Sequence, residues 1–444
     1  MFILRHLFSP LYNLFPASRH GKERATLFVY TLITVIIHFT SARTSNLLRA
    51  LQILFEFDVD RRRFYTFMDS PKLPWERLWE RVWRMIPNPL TEGRLLIALD
   101  DFINPKTGKK IFACSHVFDH AAKLNQAKYP WAQNVVSIGL LKLIKNRWTC
   151  LPLAFLFYHM KKDIQAGKVK IDGRCPAFKT KLEQAVEMLC RVANAFSATD
   201  LLVVTDSWFG NNGLFKPMRQ AIGKRFHLLS RLRVNITLYA LPAETKAKKG
   251  PGRHKKYGHK LGSTASLAAL FKHQARPYLV DLYGKVRQVM AYDQVFMLKT
   301  LKCPVRVVWV YRKNQWVALF TTDLTLSVEQ IIAWYGARWK IESGYKELKQ
   351  DIGSADSQTR KPHAVTNHLQ FCMMAATLTW IYADQLKNKP KRRHAVVGRR
   401  HFAFSDVRRS FTELAMSENL DRVFPIPRKA QQNSFVSALL RMVA

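Results

Sequence analysis

The run Leu95-Leu96-Ile97-Ala98-Leu99 is apolar at every position and is followed at once by two acids, Asp100 and Asp101. A strand with one wet face alternates apolar and polar residues, whereas a strand covered on both faces has no need to. The run is therefore expected as an interior strand with helices above and below, which confines this part of the chain to α/β architectures. A second run of the same texture, Leu201-Leu202-Val203-Val204-Thr205, also leads into an acid, Asp206. Between them Phe112–Val117, Val135–Ile144 and Trp148–Tyr158 are expected as strands, the last two joined at Lys145-Asn146. Phe178, Leu182, Ala185, Leu189 and Phe196 recur at helical intervals and mark an amphipathic crossover helix. Open α/β sheets bind ligands outside the carboxyl ends of their strands, which makes these acids candidate site residues. A turn or helix cap is the alternative role for a strand-end aspartate, Asp206 included. Asp100 and Asp101 are adjacent, so on a strand they point to opposite faces and only one reaches a shared site.

A third candidate acid lies in Ser327–Lys349. Ser327 and Gln330 have the spacing of a capping box, and no proline interrupts the residues that follow. A helix is expected here. Tyr335, Arg338, Glu342 and Lys349 are separated by three, four and seven residues, steps that keep all four on one helical face. Taken alone, such a face is compatible with ordinary intrahelical ion pairs on a solvated helix.

The full pattern Y-x2-R-x3-E-x6-K, with R-W-K-I-E before and Y-K-E-L-K-Q-D-I-G after, resembles the signature of the bacterial insertion-sequence DDE transposases called the YREK group. The resemblance implies an α/β fold: an RNase H-like mixed sheet flanked by helices, with an inserted β-rich domain, here beside a helical N-terminal domain. It implies that Glu342 is the last of three catalytic, metal-binding acids, after Asp206 and one of the Asp100-Asp101 pair. Asp101 is preferred because D-D-F-I-N-P-K-T-G-K resembles a D-D-T-G-F-P-K-x-G-K segment. Asp100 stays open, since the threonine that usually follows the acid is replaced by Phe102-Ile103-Asn104. Tyr335, Arg338 and Lys349 are implied to hold phosphates of the DNA. Three converging carboxylates repel unless cations neutralise them, and hard oxygen donors select Mg²⁺ or Mn²⁺ over zinc.

Composition fits a polyanionic partner. The chain of 444 residues has 71 Lys+Arg against 31 Asp+Glu, a net charge of +40, which points to double-stranded DNA, here both element ends and target. It is also 48% hydrophobic, enough for large cores and too much for a disordered basic tail. Six cysteines with no C-x-x-C pair suggest reduced thiols, consistent with a cytoplasmic, nucleoid-associated protein. The apolar run Leu27–Phe39 is shorter than the roughly 20 residues of a membrane span and is expected as a buried helix, so no membrane association is expected.

The expected organisation is a helical DNA-binding domain at 1–90, the catalytic domain in two parts at 91–232 and 326–386, a β-rich insertion at 233–325, and a basic linker with a helical tail at 387–444. Leu27–Phe39, Thr44–Phe55, Arg61–Met68 and Pro74–Met85 are the expected N-terminal helices, with Arg43, Arg49 and Arg61 to Arg63 as a possible DNA-facing side. The insertion opens on a basic run that contains Arg253, Lys255 and Lys256, suited to follow a phosphate backbone or to enter a minor groove. Trp309 and Trp316 are candidates for base stacking, with a place in the β-domain core as the simpler role. The expected activity is cleavage of element ends and their joining to target, with a dimer assembled on DNA. Two alternatives remain at this level: a nuclease without strand transfer, and a non-catalytic DNA-binding protein on the same fold.

Overall fold

The structure, a computed structural model, describes residues 2–119, 122–242, 256–313, 315–394, 401–418 and 420–426. The N-terminal helices are α1 (Phe2–Tyr12), α2 (Arg19–Ile37), α3 (Thr44–Phe55), α4 (Arg61–Met68) and α5 (Trp75–Met85). The sheet begins with β1 (Arg94–Pro105), β2 (Cys114–His116), β3 (Trp131–Ile144) and β4 (Arg147–Tyr158). There follow α6 (Lys161–Gln165), α7 (Lys181–Ala195), β5 (Asp200–Thr205), α8 (Asn212–Ile222) and β6 (Phe226–Arg231). The insertion holds β7 (Thr237–Tyr239), β8 (Lys260–Ser263), α9 (Thr264–Phe271), β9 (Arg276–Leu282), β10 (Lys285–Leu298), β11 (Cys303–Arg312) and β12 (Gln315–Thr321). The last helices are α10 (Val328–Gln350), α11 (Pro362–Gln385) and α12 (Phe404–Ser417).

Strands β4, β3, β1, β5 and β6 lie side by side in that order. β1 pairs antiparallel with β3 and parallel with β5, and β5 pairs parallel with β6 through the α8 crossover. This is the order and sense of an RNase H-like sheet. The β3–β4 hairpin turns at Lys145 and Asn146, both with positive φ (49° and 64°), as a two-residue type I′ turn requires. Cys150 Sγ would lie 2.5 Å from a Cβ at Gly139, where the β3–β4 register shifts, so only glycine fits that bulge.

One strand boundary differs from expectation. β1 does not end at its acids: it continues to Pro105, and Asp100 and Asp101 remain paired with Ser137 and Val136 of β3. What ends there is the parallel pairing with β5, whose last partners are Leu99 and Thr205. The inserted strands also join the main sheet, since β12 pairs with β6, and β11 and β10 follow. The physical reason is the edge: β6 buries Phe226, Leu228 and Leu229, and an uncovered apolar edge strand invites aggregation.

The N-terminal helices pack around α11. Along α2 every residue from Ala25 to Ile37 is buried, and Phe28 and Trp75 meet Phe371 of α11 at 5.1 and 5.0 Å between ring centroids. The indole N–H groups of Trp75 and Trp79 donate to Asn367 and Gln370 at 2.7 and 2.6 Å. α1 carries Pro10 inside it and has no counterpart in the sequence reading. Among the described residues no helix is long and apolar enough to cross a membrane.

Candidate active site

α10 crosses the sheet where β1 and β5 part. Its start is the capping box read from the sequence: Ser327 N–H donates to Gln330 Oε1 at 2.7 Å and Gln330 N–H to Ser327 Oγ at 3.1 Å. Ile331, Trp334, Ile341, Tyr345 and Leu348 are buried against the sheet. Tyr345 fixes the rotation, since its hydroxyl pairs with Ser137 Oγ at 2.9 Å and its ring lies 4.3 Å from Phe102.

That rotation turns Arg338 and Glu342 toward β1. The Arg338 guanidinium donates to Asp100 Oδ2 at 3.1 Å and to Glu342 Oε1 at 2.9 Å. The Arg338 side chain is only 10% exposed, and of its two partners Glu342 on this helix, at 35%, is more open than Asp100 on β1, at 19%. Burial pushes Asp100 up to about 7; Arg338 and the Asp101 N–H oppose the rise, and the nearby charges of Asp206 and Asp101 add to it. Burial works against the charge of Arg338, but Tyr335, Asp100 and Glu342 outweigh it and hold the guanidinium above its ordinary value. Tyr335 is raised by burial, with Asp206 adding to the rise and Arg338 and Arg231 opposing it.

Asp206 follows β5 directly. Its Oδ1 accepts the backbone N–H groups of Trp208 and Phe209, both at 3.0 Å, and its carbonyl accepts from Ser230 Oγ at 2.7 Å. The cap of α8 is instead Asn211, whose Oδ1 accepts from Gly213 N–H at 2.7 Å. Ser230 Oγ would lie 2.1 Å from a Cβ at Gly210, so the loop that carries Asp206 closes against β6 only with glycine there.

Asp101 leaves the strand on the opposite face. Its carboxylate meets Lys181 at the start of α7, with 2.8 Å between Nζ and Oδ2. Asp100 thus shares a face with Arg338 and Glu342, while Asp101, preferred from the sequence, faces Lys181; the cause is the pleat, which sends neighbouring side chains to opposite sides. Lys349 stands beyond the acids, its Nζ donating to the Ile103 carbonyl at 3.4 Å and lying 5.8 Å from the Phe102 ring. Burial lowers it, with Asp119 opposing. Lys256 is exposed, and Arg253 and Lys255 lie outside the described residues. Trp309 is fully buried and Trp316 partly so, which places Trp309 in the core.

Two neighbours carried no sequence signal. Trp208 is 46% exposed beside Asp206, and Lys181 Nζ lies 5.7 Å from its ring. Neither belongs to a spacing pattern, and each reaches the site only through the fold.

The model of the DDE superfamily endonuclease family matches residues 13–289. The chain belongs to the DDE superfamily endonucleases. A second model, of archaeal ISC1217-like transposases, matches residues 275–384, the stretch that holds Arg338 and Glu342. The protein is thus an insertion-sequence DDE transposase, a nuclease that acts on DNA. No curated protein matches it. Among the described residues of the transposase, no three or more His, Cys, Asp or Glu side chains are gathered so as to hold a metal ion. Between two of its acids stands Arg338.

Proposed function

We propose that Asp100, Asp206 and Glu342 are the catalytic acids of this transposase, that it is of the YREK type, and that it both cleaves its element's ends and joins their 3′-hydroxyls to target DNA. The observation that carries this reading is the grouping around Arg338: acids from β1 and α10 joined by one guanidinium, with Asp206 close enough to raise Asp100. The donors are carboxylate oxygens throughout, the set that suits Mg²⁺ or Mn²⁺, and a positive charge of the chain's own already bridges two of them. Asp100, Asp206 and Glu342 would hold the ion or ions, which when bound lower the pKa of water and stabilise the leaving oxygen.

The chain's own residues supply position. Arg338 and Lys349 bring cations to the two ends of the strand segment Asp100–Ile103, where each can meet a phosphate of the bound strand, and Tyr335 stands against Arg338 with 5.7 Å between guanidinium and ring. Asp206 is oriented by two backbone N–H groups, so its carboxylate does not have to be ordered when DNA arrives. Because the same groups serve attack by water and by a 3′-hydroxyl, one site accounts for cutting and joining with no covalent protein–DNA intermediate.

DNA reaches the site over a basic surface. A groove of about 800 Å³ between α2, α4 and the segment before α11 is lined by Arg24, Arg62, Lys72 and Arg360, with Glu23 and Asp69 in the lining each paired to a cation, Arg63 and Lys361. With Lys256 and its neighbours Arg253 and Lys255 it forms the proposed footprint. The proposed assembly is a dimer on paired element ends, in the cytoplasm at the nucleoid, with the domain limits given above. The test is incubation of a fragment carrying the gene and its flanks with Mg²⁺ and a supercoiled plasmid. Plasmids bearing joined 3′-ends support the proposal; nicks and breaks without joined product would reduce the activity to a nuclease.

A further inference from the structure

We infer that Arg338 is the resident counter-ion of the acid site and that a divalent cation competes with it for Asp100 and Glu342. The inference rests on the proposed role of those acids as metal ligands. An arginine four residues before a glutamate pairs with it on many helices, and such a pair taken alone contributes little. Here the guanidinium forks onto a second carboxylate, from another element, at 3.1 Å, in a position only 10% exposed. A carboxyl group buried in this way stays ionised only beside a positive charge, and an arginine cannot lose its charge by deprotonation.

The donor count leaves little room for two cations. Asp100 Oδ1 already accepts the Asp101 N–H at 2.9 Å, and Oδ2 is the atom bound to Arg338. On Glu342, Oε1 is the atom bound to Arg338. A divalent ion that takes these oxygens meets a guanidinium at contact distance, where like charges repel strongly in a partly buried site. The hold on Arg338 is incomplete: its Nε has no hydrogen-bond partner among the described residues, and the Tyr335 ring, 5.7 Å from its guanidinium carbon, already shares its charge and can keep doing so when the carboxylates are taken. The exchange turns one residue from a counter-ion of the acids into a cation available to DNA phosphate.

The experiment is Mn²⁺ titration of the full-length, DNA-free protein, with free Mn²⁺ read by electron paramagnetic resonance. Arg338→Gln is expected to bind Mn²⁺ about tenfold more tightly than the wild type, because the competing charge is gone. Arg338→Lys, whose single ammonium cannot fork across two carboxylates, is expected to tighten binding by about threefold and keeps the test open if the glutamine variant does not fold. Glu342→Gln is expected to lose the site. Unchanged Mn²⁺ affinity in the arginine variants, with the site still lost in Glu342→Gln, overturns the competition and leaves the metal-site reading standing. Wild-type Mn²⁺ binding by Glu342→Gln overturns that reading, and the competition with it.

Discussion

Asp100 and Asp101 are neighbours in sequence, yet one answers Arg338 on α10 and the other Lys181 on α7. The alternation that separates them was legible from sequence alone, but its phase was not, because which face is which depends on where α10 docks. A consequence in acid–base behaviour follows. Asp100 is raised to about 7 chiefly by burial, so folding favours its protonated form. The stability linked to this group is fully present below the ordinary carboxylate value near 4 and is lost as pH rises through about 7. Asp100→Asn, which cannot ionise, is therefore expected to gain melting temperature relative to the wild type as pH rises from 4 to 8 in chelator. A difference between the two that does not change over this interval would show that Asp100 carries no raised pKa. The same variant is expected to lose cleavage, since shape is kept while a ligand is removed.

At the scale of elements, the site depends on how α10 is fastened to β1. Beyond Tyr345, the fastening comes from the far end of the strand, where Asn104 Nδ2 donates to the Ser354 carbonyl at 3.2 Å and the buried Lys106 Nζ to the carbonyls of Ala355 and Ser357 at 2.6 and 3.0 Å. These residues cap the turn that follows α10. Lys106→Met keeps the stem but strands the carbonyls, and is expected to cost about 2 kcal/mol in urea unfolding, by the usual worth of hydrogen bonds from a charged donor. An unchanged midpoint would mean that the turn is held elsewhere. Much of this level was legible: the Ser327–Gln330 box, the helices at 44–55 and 61–68, and the β3–β4 turn all follow from local rules. The rest was not. Pro10 masks α1, β7, β8 and α9 border a basic run with no clear period, and the joining of β12 to β6 is a long-range choice that no local pattern encodes. Lys181 and Trp208 belong to the same class, brought to the acids by α7 and by the loop after β5.

For the molecule as a whole, charge sets affinity and the acids set chemistry. Each phosphate neutralised on B-DNA releases counterions and steepens the fall of log affinity with log salt by about 0.9. Replacing Arg253, Lys255 and Lys256 by alanine is expected to flatten that slope by about 2 to 3, measured by anisotropy of a labelled duplex; an unchanged slope would remove this segment from the DNA footprint. The central claim concerns the grouping of acids from β1, the end of β5 and α10 into one site. It is tested most directly by single-turnover cleavage of end-bearing DNA in Mg²⁺ by Asp100→Asn, Asp101→Asn, Asp206→Asn and Glu342→Gln, each matched to the wild type in DNA binding. The predicted result is loss of cleavage by several orders of magnitude for Asp100, Asp206 and Glu342, with Asp101→Asn retaining measurable turnover. Cleavage near the wild-type rate by Asp100→Asn, together with its loss in Asp101→Asn, would contradict the account.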